Sequence, residues 1–287
     1  MKRFSVWVMG VFIVGIFLSL TMLIATNGRA EEPAKPEEKK EEGPEKPQWI
    51  LQTDIYNQYV FRGVALSRGS GVMQPSFTGS YKGLAVNVWG NFDTSEKNPF
   101  GTKSPNRNAP RWNETDITAS YSYEVVKNLT LTAGFIYYII DSNNSPYDSQ
   151  EVYGGFGYKL PWFEFGFAAY REVGHFPGTY LQWYVSRSVN LPWYGMSLDL
   201  WASWSAELSN DKAAFPVPND PNKFYQGLHA GHVMATLNIP VGKYVKFSPK
   251  VMYWYALGGE STGVINGLSW DRKHNHVLGG GTISVTF

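Results

Sequence analysis

The 287-residue chain contains no cysteine. That excludes disulfide staples, thiolate nucleophiles and zinc–thiolate centres. Charge is scarce: 17% of residues are Asp, Glu, Lys or Arg, against roughly 25% in ordinary soluble domains. Neither sign dominates, since 25 basic residues meet 24 acidic ones. A net charge of +1 makes no field that would gather nucleic acid, so no nucleic-acid partner is expected. Long apolar runs are missing too, apart from one at the N-terminus, which argues against a multi-helix membrane protein. Global disorder is excluded by what the chain has in abundance: 11 Trp, 18 Tyr and 17 Phe, with 29 Gly.

Residues 1–30 read as an export signal. Lys2 and Arg3 give a basic start, Phe4 to Ala25 is nearly all apolar, and Gly28-Arg29-Ala30 offers small residues for cleavage. The apolar run of 22 residues exceeds the roughly 7–15 of a typical signal core. An uncleaved anchor is therefore the alternative to cleavage. No cysteine follows, so lipoprotein processing is excluded. Residues 31–48 hold seven Glu, four Lys and four Pro and no aromatic residue. They cannot bury apolar surface, and they read as a disordered periplasmic tether, either a plain spacer or a docking segment. Without residues 1–30 the balance is 22 basic to 24 acidic, a net charge of −2.

From Trp49 onward the apolar period is two. Val277, Gly279, Gly281, Ile283, Val285 and Phe287 alternate with Leu278, Gly280, Thr282, Ser284 and Thr286. Met196, Leu198, Leu200, Ala202, Trp204 and Ala206 alternate with Ser197, Asp199, Trp201, Ser203 and Ser205. This is 180° per residue, the signature of strands, and no later segment sustains a helical period. Strands are predicted at 50–61, 72–81, 84–93, 115–125, 129–140, 151–159, 163–172, 179–188, 196–206, 227–239, 244–255 and 276–287. Most are longer than the usual soluble strand of about 5–6 residues and match a bilayer crossing of about 9–11.

The connections alternate in length. Tight ones lie near Lys82-Gly83, Val126-Lys127-Asn128, Leu160-Pro161-Trp162, residues 191–194 and residues 240–243. Longer ones, rich in Asn, Asp, Pro, Gly and Ser, cover residues 63–71, 94–114, 141–150, 173–178, 207–226 and 256–275. Short turns on one side and long loops on the other describe a transmembrane antiparallel up-and-down β-barrel of about twelve strands spanning residues 49–287, with both termini periplasmic.

Alternation alone does not say which face is outside, because soluble barrels and sandwiches alternate as well. One face collects large apolar residues, and the other collects Asp54, Arg62, Asp116, Glu124, Asp199, Lys246 and Lys250. A Lys or Arg facing lipid at mid-bilayer costs roughly 2–4 kcal/mol, so these seven are the candidate pore-lining residues. Aromatics gather at strand ends: Trp49, Tyr59, Phe61, Trp162, Phe163, Trp193, Tyr194 and Tyr244. With Phe287 they form a candidate girdle at headgroup level, in contact with outer-membrane lipid. Phe287 ends the last apolar face, which resembles the C-terminal signal by which bacterial barrels reach the barrel-assembly machinery.

Tyr59-Val60-Phe61-Arg62-Gly63, then Pro75, Gly83 and Trp89-Gly90-Asn91-Phe92-Asp93, resemble the N-terminal pattern of the TorF-type porins, small exported barrels. The match covers residues 49–93, and it departs from the pattern at Asn87, in the acidic tether and in the long loop at 94–114. The resemblance implies a porin in the outer membrane of a Gram-negative-type bacterium and transfers no catalytic residue.

Arg62 reads either as a cation at the pore mouth or as the partner of an acid on a neighbouring strand. Lys246 and Lys250 share one face of one strand. With Asp199 they make either a transverse field or stiffening ion pairs. Trp89, Trp201 and Trp254 read as a sugar-stacking track or as packing. His274 and His276 share a face but lack a third ligand, so no metal or cofactor is expected. Only Ser203 and His232 could meet as a nucleophile pair, across neighbouring strands, so no catalytic residue and no enzyme activity is expected. The expected function is passive diffusion of small polar solutes. The alternatives are a plugged docking barrel and a barrel hydrolase.

Overall fold

The computed structural model describes residues 46–97, 109–142 and 147–287. The export signal and nearly all of the tether lie outside the described residues. In chain order the elements are β1 (Gln48–Tyr56), β2 (Val60–Phe61), β3 (Val64–Ala65), β4 (Val72–Tyr81), β5 (Leu84–Glu96), β6 (Ala109–Val126), β7 (Leu129–Ile140), β8 (Ser149–Lys159), β9 (Glu164–Glu172), β10 (Gly178–Asn190), β11 (Ser197–Ser209), β12 (Gln226–Val241), β13 (Val245–Ala256), α1 (Gly259–Leu268) and β14 (Asn275–Thr286). Twelve of the strands form one closed antiparallel ring, sealed where β1 pairs with β4 on one side and β14 on the other. Closure leaves no edge strand, so each of the twelve pairs on both sides in a medium that offers no other partner.

The faces are inverted relative to a soluble protein. Among the described residues, 25 buried side chains are polar or charged and 14 are hydrophobic. Leu51, Ile55, Val86, Val88, Ile117, Leu131, Val251 and Ile283 point outward and are exposed. A lipocalin-like arrangement would bury these and expose the polar set, so burial decides for lipid outside. Inside, polar side chains hydrogen-bond across strands. Gln74 donates to Asn91 at 3.0 Å and Asn91 to Asn113 at 2.7 Å, a ladder over β4, β5 and β6.

The first expected strand, 50–61, is shorter than its alternation predicts. β1 stops at Tyr56, and residues 60–65 turn back as the separate β2–β3 hairpin. Its two-residue turn is Arg62-Gly63, with φ of 50° and 87°. Positive φ at both central positions is the type I′ geometry that the twist of a hairpin favours. Several strands also run further at the long-loop side: β5 to Glu96, β6 from Ala109 and β11 to Ser209. The expected absence of helix fails at α1. Its residues Gly259, Gly263 and Gly267 are poor helix formers, and packing holds it instead. Val264 and Ile265 are buried, and Val264 clusters with Leu268 of the same helix and with Phe215, Val217 and Tyr225 from the neighbouring loop.

Candidate pore and its constriction

The β2–β3 hairpin folds into the barrel and crosses it. Its base is tied down by backbone bonds: Leu66 N–H to Tyr59 O at 2.9 Å and Trp270 N–H to Ala65 O at 2.9 Å. Side chains add Tyr59 N–H to Ser67 Oγ at 2.8 Å, Ala65 N–H to Ser269 Oγ at 3.1 Å and Gln58 to Asp271 at 2.9 Å. The connection after α1 therefore clamps the hairpin. Gly63 rests on the wall: a Cβ there would lie 2.7 Å from the Ala230 Cβ of β12. Ala230 sits where β12 slips register against β11, and the Ser205 hydroxyl takes up its freed backbone groups at 2.8 and 3.0 Å.

From the tip, Arg62 reaches Glu151 on β8, five places round the ring from β1, with two bonds of 2.6 and 2.8 Å. The guanidinium carbon lies 4.7, 4.8 and 4.2 Å from the ring centroids of Phe61, Tyr170 and Tyr180. Tyr138 donates to the same Glu151 carboxylate at 2.8 Å. A bidentate pair of this kind fixes direction as well as charge. Arg62 thus pairs with an acid, as one of its two expected roles has it, but across the lumen rather than on a neighbouring strand.

The constriction separates two cavities. The upper one, on the long-loop side, measures about 390 Å³ and is lined by Glu114, Glu151, Glu172, Glu207, Arg62 and many aromatic and aliphatic side chains. The lower one, on the short-turn side, measures about 490 Å³ and is lined by Asp199, Arg187, Lys246, Lys250, a set of Ser, Thr, Asn and Gln side chains, and Leu200, Trp201 and Met234. In the lower half Lys250 Nζ lies 3.1 Å from Asp54, which also accepts from Tyr56 at 2.9 Å, from Gln52 at 2.7 Å and from the Thr282 hydroxyl. Asp199 accepts from Ser188 at 2.6 Å and Asn238 at 2.5 Å. Lys246 is exposed and makes no ion pair among the described residues.

Of the other lumenal candidates, Asp116 faces inward beside Glu114, with one buried oxygen that has no hydrogen bond among the described residues. Glu124 sits at the turn-side rim, where it accepts the Asn128 N–H at 2.6 Å. The aromatic candidates divide. Trp49, Trp162, Phe163, Trp193, Tyr194, Tyr244 and Phe287 are exposed at the turn-side end. Tyr59 is buried and Phe61 lines the upper cavity, so neither belongs to a lipid girdle. Both moved inside because strand one ends before them.

Trp89, Trp201 and Trp254 pack against Tyr59, Tyr184 and His232, with centroids 5.8, 4.3 and 4.0 Å apart. His232 is in register with Ser203, but its ring lies flat on Trp254 and its Nε2 has no hydrogen bond among the described residues. Gln182 donates to Ser203 at 3.4 Å, and among the described residues Ser203 and His232 share no hydrogen bond. His274 bonds Asn266 at 3.1 Å while His276 lies 3.4 Å from Asp271, and the two do not converge. Glu114, Glu151, Glu207, Tyr138 and Tyr180 were absent from the sequence candidates. Strand parity carried the signal for Glu151, and longer strand ends would have supplied Glu114 and Glu207.

No protein-family model matches the sequence, and no curated protein matches it. Solved structures do. The NanC porin aligns over 83% of this chain and 98% of its own, at 10% identity and a TM-score of 0.50. An outer-membrane channel from Pseudomonas putida F1 covers 88% and 100% at 8% identity and 0.48. LpxR from Salmonella typhimurium covers 83% and 100% at 10% identity and 0.46. At 10% identity the likeness to the NanC porin shows the fold alone, a closed antiparallel barrel.

Proposed function

We propose that the protein is an outer-membrane channel for passive diffusion of small polar solutes, narrowed by the Arg62 hairpin. The observation that carries this reading is a charged, hydrogen-bonding lumen with a cavity on each side of one constriction, enclosed by an apolar outer face. A wet interior with fixed charges gives solutes a path and a selectivity filter. Twelve strands stand between barrels of eight, filled by side chains, and open porins of 16–18. Asp54, Asp116, Asp199, Lys246 and Lys250 then line the path, Arg62 guards it, and Glu124 marks the exit. The aligned neighbours named as a porin and a channel agree with this use of the fold. The TorF-type resemblance, cleavage of residues 1–30 and delivery through the Phe287 strand complete the proposal.

A sealed docking barrel is the second reading, favoured by the ion pair that spans the lumen. Planar-bilayer recording of the refolded chain separates the two. Discrete ohmic steps with a defined reversal potential in a salt gradient support the channel, and silence at every voltage overturns it.

A further inference from the structure

The upper cavity holds more acid than base. Glu114, Glu151, Glu172 and Glu207 line it, and Arg62 is the one Lys or Arg among its described lining residues. Two of the carboxylates are satisfied. Glu151 holds Arg62 in two bonds, and Glu172 accepts the Ser149 hydroxyl and the Gly174 N–H, the latter at 2.6 Å. Glu207 is not. It is 3% exposed, lines the cavity, and has neither a hydrogen bond nor an ion pair among the described residues. The charge it feels most is that of Arg62, already committed to Glu151. Glu114, also buried, takes a hydrogen bond from the Tyr59 hydroxyl but has no ion pair among the described residues. A buried carboxylate without a counter-charge is expensive, and an entering cation removes that cost.

Shape and chemistry narrow the cation. Among the described residues no three His, Cys, Asp or Glu side chains gather closely enough to hold a metal ion. Between the carboxylates the walls are apolar, with Leu66, Phe176, Phe215 and Trp270. The same cage already shows what it accepts: Arg62 lays a planar cation over aromatic faces against a carboxylate. The geometry points to the upper cavity as a binding site for a small organic cation with an apolar body, an arylalkyl ammonium or guanidinium, with Glu207 as its counter-ion. The ligand's route to the site rests on the channel reading, whereas its binding does not.

The test uses the full chain refolded in detergent micelles and titrated calorimetrically with phenethylammonium, phenylacetate and phenylethanol, which share one apolar body. The ammonium binds about tenfold or more tightly than the other two, as one buried charge partner warrants. Glu207→Gln removes that preference and Glu207→Asp restores it. Glu114→Gln weakens it, and Lys246→Gln in the lower cavity leaves it unchanged. Equal binding of all three probes, no binding of any, or full affinity in both Glu207→Gln and Glu114→Gln overturns the site. Conductance is measured on the same preparation. A conducting barrel that ignores the ammonium removes the site and leaves the channel. A silent barrel that binds it removes the channel and leaves the site.

Discussion

The two halves of the lumen are built from the same strands and differ in almost everything else. The upper half is crossed by a hairpin, walled by aromatics and lined by four carboxylates against one guanidinium. The lower half is lined by Lys246, Lys250, Arg187 and Asp199 among mostly hydroxyl and amide side chains, with Leu200, Trp201 and Met234. Strand parity fixes both linings, yet only the upper half receives material from outside the ring. The hairpin enters because its parent connection, 57–71, joins β1 to β4 on the long-loop side, where chain is available. The short turns leave none for the lower half. The loop architecture, more than the wall, therefore sets where the barrel narrows.

Removing the hairpin is the harshest way to break this contrast. Replacing residues 58–66 with a short Gly-Ser turn should raise the single-channel conductance several-fold, because the upper half then becomes as open as the lower. Unchanged conductance would locate the narrowing elsewhere. Glu151→Gln comes next. It strips the buried partner from Arg62, and losing one member of such a pair costs about 3–5 kcal/mol. The hairpin should leave the lumen rather than hold an unpaired guanidinium there. Current recordings should become noisy, and trypsin should cleave at Arg62. Arg62→Gln combined with Glu151→Gln should recover quiet recordings, because no charge remains to be satisfied.

The wall was readable because membrane strands impose one simple rule on every second residue. β4, β7 and β8 to β14 fall within a few residues of their expected positions, and Asp54, Asp199 and Lys250 face inward as their parity demands. The plug was not readable, for a physical reason. Tyr59 and Phe61 continue the alternation of β1 without continuing its pairing, so they pass for strand residues when viewed along the chain. The positive φ at Arg62 is the point of divergence, and only Gly63 beside it signals a turn. α1 escaped notice because its three glycines carry no helical signal and its stability comes from partners in another loop. Glu114 and Glu207 were assigned to loops because the strands outlast their apolar alternation at the upper rim, where polar residues face in on longer walls.

Two glycines sharpen the comparison with a smaller effect. Gly63 and Gly242 both have positive φ, 87° and 69°. Gly63 abuts Ala230, while a Cβ at Gly242, in a lower turn, would meet nothing within 4 Å. Gly242→Ala should therefore cost only the backbone strain, about 1–2 kcal/mol. Gly63→Ala adds a steric clash, and backbone against wall cannot yield as a long side chain would. Amide exchange at Val64 and Ala65 should speed up in Gly63→Ala with the barrel strands unaffected. Equal exchange in the two variants would mean that the hairpin does not press on β12.

The mildest perturbation concerns charge in the lower half. Lys250 is neutralised locally by Asp54 at 3.1 Å, whereas Lys246 is exposed and unpaired among the described residues. Lys246→Gln should thus move the reversal potential toward cation preference, and Lys250→Gln should move it less, since Asp54 keeps three other hydrogen-bonding neighbours. The effect should fade as salt rises, because an exposed charge is screened beyond about 10 Å at 0.1 M. Charges in the upper half are buried and should keep their influence at the same salt. If raising the salt erases the effect of Glu207→Gln on selectivity as readily as that of Lys246→Gln, the two halves share one dielectric environment and the upper carboxylates are wetter than their burial implies.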